Sequence, residues 1–180
     1  MTFKTLSVAD YPKFLQLYNS AFPEDERRLY RDASHVAEFV REKGGKFNAF
    51  ACADDTDDFI GFLSYWTFKG YTYVEHFAVK PEKRGNNIGT EMLRHLFETV
   101  SEDVLIEVEF PNTSEAARRI RFYERNGFRA REEIQYTQPP YSAGQKGMPL
   151  LLMTHGNVIL HDMDSIAEML KEVYNVNQGI

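Results

Sequence analysis

The chain has 180 residues, a length typical of a single domain. Hydrophobic residues make up 43% of it and aromatic residues 14%, which is enough apolar bulk for a real core and argues against disorder. Its 21 basic and 27 acidic side chains give a net charge of −6. This balance argues against nucleic acid as the main partner, because phosphate binding needs a basic face. The one cysteine, Cys52, excludes an internal disulfide framework and a Cys-rich zinc site.

No segment of the sequence predicts membrane insertion or export. The first ten residues lack the apolar run of a signal peptide, and the longest apolar stretch, 149–153, is far shorter than the roughly 20 residues that span a bilayer. The five histidines show no metal-ligand spacing. We therefore expect a cytoplasmic protein with no membrane partner and no metal site.

The N-terminal part predicts a strand, two helices and a three-stranded meander. Apolar residues recur at helical spacing after Asp10 and again after Ser34, the two expected caps. Gly44 and Gly45 stop the second helix. The predicted bounds are 3–8 for the strand, 11–21 and 34–43 for the helices, and 47–53, 59–68 and 72–79 for the meander.

The second half alternates helices with strands. An amphipathic helix over 87–100 leads to a strand over 104–110, and Asn112 is the expected cap of a helix that ends at Arg125. The remaining predictions are a strand over 128–136, a loop over 138–147, a strand over 150–154 and a terminal helix over 162–175. The strand–helix–strand unit implies one parallel crossover in an otherwise antiparallel sheet, so the predicted fold is mixed α/β.

The most informative segment is the turn between the third meander strand and the following helix. Gly85 and Gly89 allow a close backbone approach, Asn86 and Asn87 tolerate left-handed torsions, and Arg84 adds a cation. Unpaired amides of the helix start would complete an anion cradle suited to a pyrophosphate. The dinucleotide fingerprint and the P-loop signature are both absent, and spacing alone leaves a plain solvated loop as the alternative.

Two stretches resemble motifs of the GNAT family of acyl-CoA-dependent N-acetyltransferases. Phe77-Ala-Val-Lys-Pro, then Arg84-Gly-Asn-Asn-Ile-Gly89 and a Leu-rich helix, resemble motif A, while Ile120-Arg-Phe-Tyr-Glu-Arg-Asn-Gly-Phe128 resembles motif B. The element order matches the family fold over roughly residues 1–154. Two positions depart from the pattern: Asn87 replaces the first motif glycine, and Ala116 replaces an Asn that contacts the cofactor in many members.

The resemblance implies a GNAT domain over 1–155, followed by a helical extension over 156–180 packed on the same domain. It implies acetyl-CoA as cofactor, with the pantetheine arm pairing beside the strand and the pyrophosphate on the loop amides. The implied cofactor-binding residues are Phe77, Ala78, Val79, Arg84, Gly85, Asn86, Asn87, Ile88, Gly89 and Thr90.

Two residues match catalytic positions of the family. Glu75 is the candidate general base, acting directly or through water, because an alkylamine with a pKa near ~10.4 must lose a proton before it attacks. Its alternative is an exposed or cross-strand ion pair. Tyr123 matches the family's general acid for the leaving thiolate. Since Ala116 and Ile120 share its helix face, a core aromatic is the alternative.

The acceptor side is expected to be walled by aromatic side chains and approached past acidic residues. The expected acceptor is a small-molecule or peptide primary amine. The substrate candidates are Glu24, Tyr65, Tyr73 and Tyr141. Trp66 and Tyr136 are expected in the same aromatic wall, and Asp25 and Glu26 are expected to attract a cation with Glu24. A non-catalytic acyl-CoA-binding sensor or scaffold is the alternative function. The apolar face of the terminal helix suits either a homodimer or packing within the chain.

Overall fold

The computed structural model of the chain describes residues 1–100, 103–142, 144–157, 160 and 166–175. Over these residues the fold is mixed α/β, with five α-helices and eight strands that pair mostly antiparallel and include one parallel pair. The predicted fold class is confirmed.

Most elements lie within one or two residues of their predicted bounds. The strands are β1 Thr2–Thr5, β2 Phe47–Ala53, β3 Phe59–Phe68, β4 Tyr71–Val79, β5 Asp103–Val108, β6 Arg129–Ala130, β7 Tyr136–Gln138 and β8 Met148–His155. The α-helices are α1 Tyr11–Ala21, α2 Ala33–Glu42, α3 Ile88–Thr99, α4 Ser114–Arg125 and α5 Ala167–Tyr174. Single 3₁₀ turns cover Glu24–Glu26 and Pro81–Lys83.

The chain divides into two compact units. The first comprises residues 1–67 and 74–100, and its strands follow the order β1-β2-β3-β4. β1 and β2 pair antiparallel with Phe3 opposite Cys52, and β2 pairs with β3 in the same sense. The core of this unit is formed by the buried residues Leu6, Tyr11, Phe14, Leu17, Tyr18, Val36, Ala51, Phe59, Phe62 and Ala78. The apolar stripe of α1 thus packs on one face of the strands, as its helical spacing predicts.

The second unit comprises residues 68–73 and the described residues from 103 onward. β8 lies at its centre, with β5 on one side and the short strands β6 and β7 on the other, all antiparallel to it. Glu107 of β5 lies opposite Leu152, and Tyr136 of β7 lies opposite Leu150. Opposed residues share a face of the sheet, and so do residues two apart on one strand. The register therefore places Glu107 and Tyr136 on the same face.

The predicted strand over 128–136 is wrong in its middle. Arg131 still donates to the Leu152 carbonyl at 2.9 Å, but the chain then turns, with the Ile134 amide bonded to the Arg131 carbonyl at 3.1 Å. Strand pairing resumes only at Tyr136 and continues to Gln138, where a loop was predicted. The charged run Arg131-Glu-Glu133 explains the turn, because neighbouring charges are better solvated than paired in a sheet.

The helix caps also differ from prediction. The Asp32 carboxylate, not Ser34, accepts from the His35 amide at the start of α2. The Thr113 hydroxyl, not Asn112, accepts from the Ala116 amide at the start of α4. Asp10 stands at the cap position of α1 but bonds back to Ser7 instead. The predicted start of the terminal helix, 162–165, lies outside the described residues.

Candidate active site

The turn after β4 is held in shape by its own side chains and backbone. The Arg84 amide donates to the Pro81 carbonyl at 3.2 Å, and its Nε donates to the Val79 carbonyl at 3.0 Å. Asn86 Nδ2 donates to the Lys83 carbonyl at 3.2 Å. The chain is thus folded back over the end of the strand, so that the next residues lead directly into α3.

The start of α3 has the backbone conformation that the sequence predicts. Gly85 has φ +85° and Asn87 has φ +61°, both in the left-handed region. Asn87 makes no side-chain capping bond, and the Glu91 amide bonds to its carbonyl at 3.1 Å. The amides of 88–90 precede that first helical bond and have no acceptor within the helix. They lie at the positive end of the helix dipole, which favours an anion there.

Glu75 of β4 lies in a tight ionic and aromatic setting within the first unit. Its Oε1 accepts from Arg28 Nη2 and its Oε2 accepts from Trp66 Nε1, both at 2.7 Å. The Glu75 side chain is only 1% exposed, and that of Arg28 is 14% exposed. The Arg28 guanidinium also lies over the rings of Phe39, at 4.7 Å, and Trp66, at 5.6 Å. Glu75 is therefore fixed and ion-paired, but it is buried and its partner Arg28 lies outside the strands, so the pair is neither exposed nor cross-strand; its role as base stays a prediction.

Arg28 is a functional-site neighbour that the sequence did not reveal. It lies two residues after the acidic residues Glu24, Asp25 and Glu26, which the sequence predicts to attract a cation, and 47 positions before Glu75. No local pattern links the two residues, so the pair could be found only in the fold. Glu24, the acidic substrate candidate, is 78% exposed and lies 3.9 Å from Arg27.

Tyr65 does not contact Glu75. It lines a groove together with Phe3, Asn48, Phe50 and His95, whereas its neighbour Trp66 contacts Glu75. Successive residues of a strand point to opposite faces, which explains the separation. Tyr65 and Trp66, which the sequence predicts on one wall of the acceptor site, therefore lie on opposite faces of β3.

Tyr123 lies on the buried face of α4 in the second unit. Ala116 and Ile120 are buried on the same face, as the helical spacing predicts. The Tyr123 ring packs against Phe128 with centroids 5.4 Å apart. Burial raises the pKa of its hydroxyl to about 12, so it stays protonated throughout the physiological range and has a proton to donate.

Three aromatic residues considered for the acceptor side, Tyr73, Tyr136 and Tyr141, lie close to Glu107 or Tyr174 in the second unit. Tyr136 donates to Glu107, and the Tyr174 hydroxyl also donates to Glu107, at 2.9 Å. The Tyr73 and Tyr174 hydroxyl oxygens are 2.8 Å apart, and the Tyr141 ring lies 5.0 Å from that of Tyr174. Gln138 completes the set by donating to both Glu107, at 2.7 Å, and Tyr174, at 3.1 Å. We refer to Glu107, Tyr136, Gln138 and Tyr174 as the Glu107 cluster.

The Glu107 cluster was missed by sequence reasoning. One signal was available: Glu107 interrupts the apolar strand Val104-Leu-Ile-Glu-Val108. Its donors come from β7 and α5, and nothing in the local sequence brings them to it.

The described part of the chain holds no group of three or more His, Cys, Asp or Glu side chains placed to bind a metal ion. Within that same part, every helix is too short or too polar to cross a membrane.

Comparison with known proteins gives the family. A sequence profile described as an acetyltransferase (GNAT) domain matches residues 46–130. A solved structure described as an acetyltransferase assigned to the GNAT family, from Bacteroides thetaiotaomicron, is 36% identical over 98% of this chain and all of that one, with a TM-score of 0.83. This chain belongs to the GNAT acetyltransferase family.

More distant GNAT structures share only the fold. A chimera of the spermidine N-acetyltransferase SpeG of Vibrio cholerae and hSSAT is 14% identical, with a TM-score of 0.67 over 86% of this chain and 96% of that one. The spermidine N-acetyltransferase of Vibrio cholerae in complex with CoA and spermine is 13% identical, with a TM-score of 0.65 over 85% and 93% of the two chains. No match was found among curated proteins.

The GNAT profile covers only some of the residues described above. Glu75, the turn at 84–90 and Tyr123 fall within its span of 46–130, as does Glu107. Tyr136, Gln138 and Tyr174, which hold Glu107, lie beyond it. The Glu107 cluster is therefore built largely by a part of the chain outside the matched GNAT domain.

Proposed function

We propose that the protein transfers the acetyl group of acetyl-CoA to a primary amine by direct attack of the amine nitrogen. The observation that carries the proposal is the start of α3, where left-handed Gly85 and Asn87 present the amides of 88–90 without helical acceptors. Membership of the GNAT family supports acetyl-CoA as the donor.

The residues present suit the coenzyme. Its pyrophosphate would bind the amides from Gly85 to Thr90 beside Arg84, and its pantetheine arm would pair with the backbone of Phe77, Ala78 and Val79. The Val79 carbonyl already accepts from Arg84, but a carbonyl oxygen has two lone pairs and can accept a second bond. Asn87 adopts the torsion that the family's glycine would supply, so this departure leaves the turn intact.

From ammonium to amide the nitrogen loses two protons, one before and one after it attacks, and the leaving thiolate gains one. An alkylammonium with a pKa near ~10.4 must lose a proton at neutral pH, and Glu75, oriented by Arg28 and Trp66, takes it directly or through water. The neutral nitrogen attacks the thioester carbon, the C–S bond breaks to release a thiolate, and the nitrogen loses its second proton to solvent to give the neutral amide. Tyr123 donates to that sulfur; because its pKa is near 12, its hydrogen bond stabilises the developing thiolate ahead of full proton transfer.

A second candidate function has an observation of its own. Glu75 is already paired with Arg28 and bonded to Trp66, which is what a purely structural carboxylate would show. A protein with the coenzyme turn but no available base would be an acyl-CoA-binding sensor or scaffold.

Two measurements on the purified protein separate these functions. Calorimetry with coenzyme A and acetyl-CoA tests binding, and a panel of primary amines with detection of released thiol tests transfer. Thiol release that depends on the amine supports the enzyme, while binding without release across the panel supports the sensor. Absence of binding at millimolar coenzyme contradicts both.

Replacing Tyr123 with Phe tests the acid. We expect kcat to fall by roughly 10²–10⁴-fold while the Kd for coenzyme A stays the same, since the lost hydroxyl acts only in the chemical step. Tyr71→Phe is the matched control, because the Tyr71 hydroxyl is buried without a hydrogen-bond partner among the described residues. Full activity of Tyr123→Phe over a pH series would remove this role.

A further inference from the structure

Several contacts hold the Arg28 side chain in place. Its guanidinium donates to Glu75 Oε1 at 2.7 Å and lies over the rings of Phe39 and Trp66. A guanidinium is planar, so it can stack on aromatic rings while its N–H groups reach a carboxylate. The side chain of Arg28 is 14% exposed and that of Glu75 is 1% exposed. The pair is therefore largely removed from water, which strengthens the attraction between its charges.

The backbone around Arg28 is held as well. Its amide donates to the Tyr18 hydroxyl at 2.9 Å, and the Glu26 carbonyl lies 3.2 Å from His76 Nε2. Tyr18 belongs to α1 and is 1% exposed, while His76 follows Glu75 in β4 and is 5% exposed. The segment that carries Arg28 is thus fixed to α1 and β4 within the first unit, so the ion pair does not depend on an otherwise free loop.

Three titratable neighbours of Glu75 are neutral at physiological pH. Burial raises the pKa of the Tyr18 and Tyr30 hydroxyls, so both stay protonated and uncharged. Burial also lowers the pKa of His76, whose Nδ1 lies 3.9 Å from Glu75 Oε2, so its imidazole carries no charge at neutral pH. Arg28, in contrast, keeps its positive charge throughout, because a guanidinium does not lose its proton in proteins.

Arg28 and Trp66 act on different oxygens of Glu75 and in different ways. Arg28 brings a charge to Oε1, whereas the Trp66 indole is a neutral donor to Oε2, each at 2.7 Å. An opposite charge beside a buried carboxylate strongly favours its ionised form, while a neutral hydrogen bond favours that form less but fixes the direction of the oxygen. A carboxylate oxygen has two lone pairs, so each oxygen can still accept a further hydrogen bond or a proton.

We propose that Arg28 and Trp66 are positioning residues for acetyl transfer: Arg28 keeps Glu75 ionised at neutral pH, and Trp66 fixes its orientation. In this role neither residue touches the reacting atoms, and each acts through the carboxylate. A buried carboxylate without a counter-charge favours its protonated form, which has no capacity to take a proton from the acceptor amine. The inference rests on the proposed function, in which Glu75 is the general base.

The first test follows the ionisation of Glu75 and needs no turnover. Carboxyl ¹³C NMR of the full-length protein, labelled at its glutamate side chains, gives the titration midpoint of Glu75, and Glu75→Gln assigns the signal. We expect Glu75 to be ionised at pH 7 in the unmodified protein. Arg28→Met should raise the midpoint by about 1–3 pH units, the effect of one neighbouring cation on a carboxyl group. Arg28→Lys keeps the charge and should keep the midpoint close to that of the unmodified protein.

The second test is the pH dependence of turnover. Below both midpoints, kcat of Arg28→Met should be about 10–10³-fold lower than kcat of the unmodified protein, which is the same midpoint shift expressed as the ionised fraction. The ratio of the two kcat values should rise towards one above the raised midpoint, because Glu75 is then ionised without its partner. A merely structural role of Arg28 would lower kcat by the same factor at every pH.

Trp66→Phe separates orientation from charge. This variant keeps an aromatic ring beside Arg28 and removes the N–H that bonds to Glu75 Oε2. We expect kcat to fall while the midpoint of Glu75 moves less than in Arg28→Met, since the counter-charge is still present. Full activity of Trp66→Phe would remove its positioning role.

Arg94→Met is the matched control for Arg28→Met. Arg94 forms an ion pair with Glu91 on α3 and its side chain is 65% exposed, so this variant keeps both the midpoint of Glu75 and kcat. A Glu75 that is protonated at pH 7 in the unmodified protein, an unchanged midpoint in Arg28→Met, or a kcat ratio that does not vary with pH overturns the inference. If Arg28→Met does not fold, as circular dichroism would show, the unmodified protein and Arg28→Lys decide the role of Arg28, and a raised midpoint in Arg28→Lys contradicts it.

Failure of the inference differs from failure of the proposed function. A protein that releases thiol with a primary amine, but whose Glu75 midpoint is the same in Arg28→Met, is an acetyltransferase in which Arg28 has no positioning role. A protein in which Arg28 sets the midpoint but no amine releases thiol contradicts the proposed function and leaves Arg28 as a structural partner of Glu75.

Discussion

Glu75 and Glu107 are two strand carboxylates with opposite surroundings. Glu75, in the first unit, is 1% exposed and has an arginine within 2.7 Å. Glu107, in the second unit, is held by two tyrosines and a glutamine, with no cationic partner among the described residues. The charge of Glu75 is balanced by an arginine of the chain, whereas that of Glu107 is met only by neutral hydrogen-bond donors.

This difference separates two uses of the same side chain. A buried ion pair with both partners present adds little net stability, but removal of either partner is strongly destabilising. A carboxylate that is removed from water without a counter-charge weakens the folded state. The experiments below contrast the two residues, in order of decreasing expected effect.

Removing Arg28 should have the largest effect. Arg28→Ala leaves Glu75 buried without its counter-charge and also removes the guanidinium packed on Phe39 and Trp66. We expect the free energy of unfolding to fall by about 3–5 kcal/mol, measured by urea denaturation. The control is Arg119→Ala, which breaks the exposed pair with Glu109 and should cost about 0–1 kcal/mol. Similar losses of unfolding free energy in both variants would mean that the buried Arg28–Glu75 pair stabilises the protein no more than the exposed pair does.

Neutralising Glu75 tests whether the paired carboxylate also takes part in the chemistry. Glu75→Gln should lower kcat by roughly 10²-fold or more and change the rise of the rate with pH, because the proton acceptor is lost. Glu109→Gln serves as the control for loss of a carboxylate elsewhere. If Glu75→Gln keeps the pH–rate profile while its free energy of unfolding falls, Glu75 is structural only.

The pH dependence of stability should reveal Glu107. Burial raises the pKa of Glu107 above its ordinary value, so between that value and the raised pKa the folded state binds more protons than the unfolded state. The contribution of Glu107 to the free energy of unfolding therefore falls as pH rises through this window, by at most about 1.4 kcal/mol per pH unit for one proton.

Urea denaturation of the unmodified protein and of Glu107→Gln between pH 4 and pH 8 checks this sign. The unmodified protein should lose stability relative to Glu107→Gln as pH rises. A difference that stays constant, or that changes in the opposite direction, would show that Glu107 is not destabilised by its surroundings.

Local patterns were sufficient for most of the secondary structure. The predicted bounds of α1, β2 and β3 match the structure, because each has an uninterrupted period of apolar residues and a clear stop. Prediction failed where charge and apolar residues alternate without a clear period, as in 128–136. It also failed where two neighbouring residues could both cap a helix, as at Asp32 and Ser34.

The terminal helix shows how packing answers a question that periodicity leaves open. The apolar face of this helix suits either a homodimer or packing within the chain, and it consists of Ile166, Met169, Leu170 and Val173. All four are buried within this chain, so packing accounts for the face.

The sequence by itself determined the mixed α/β fold, the family and the turn from Arg84 to Thr90, because each depends on residues close together in the chain. Left-handed torsions at Gly85 and Asn87 follow from the residue types, because glycine has no Cβ and asparagine tolerates this region better than most residues. Only the tertiary structure decided which charges are balanced. Arg28 contacts Glu75, and Tyr136, Gln138 and Tyr174 contact Glu107, and the paired residues lie 29 to 67 positions apart in the chain. A buried charge is governed by what surrounds it in space, and a linear sequence does not specify those neighbours until the chain has folded.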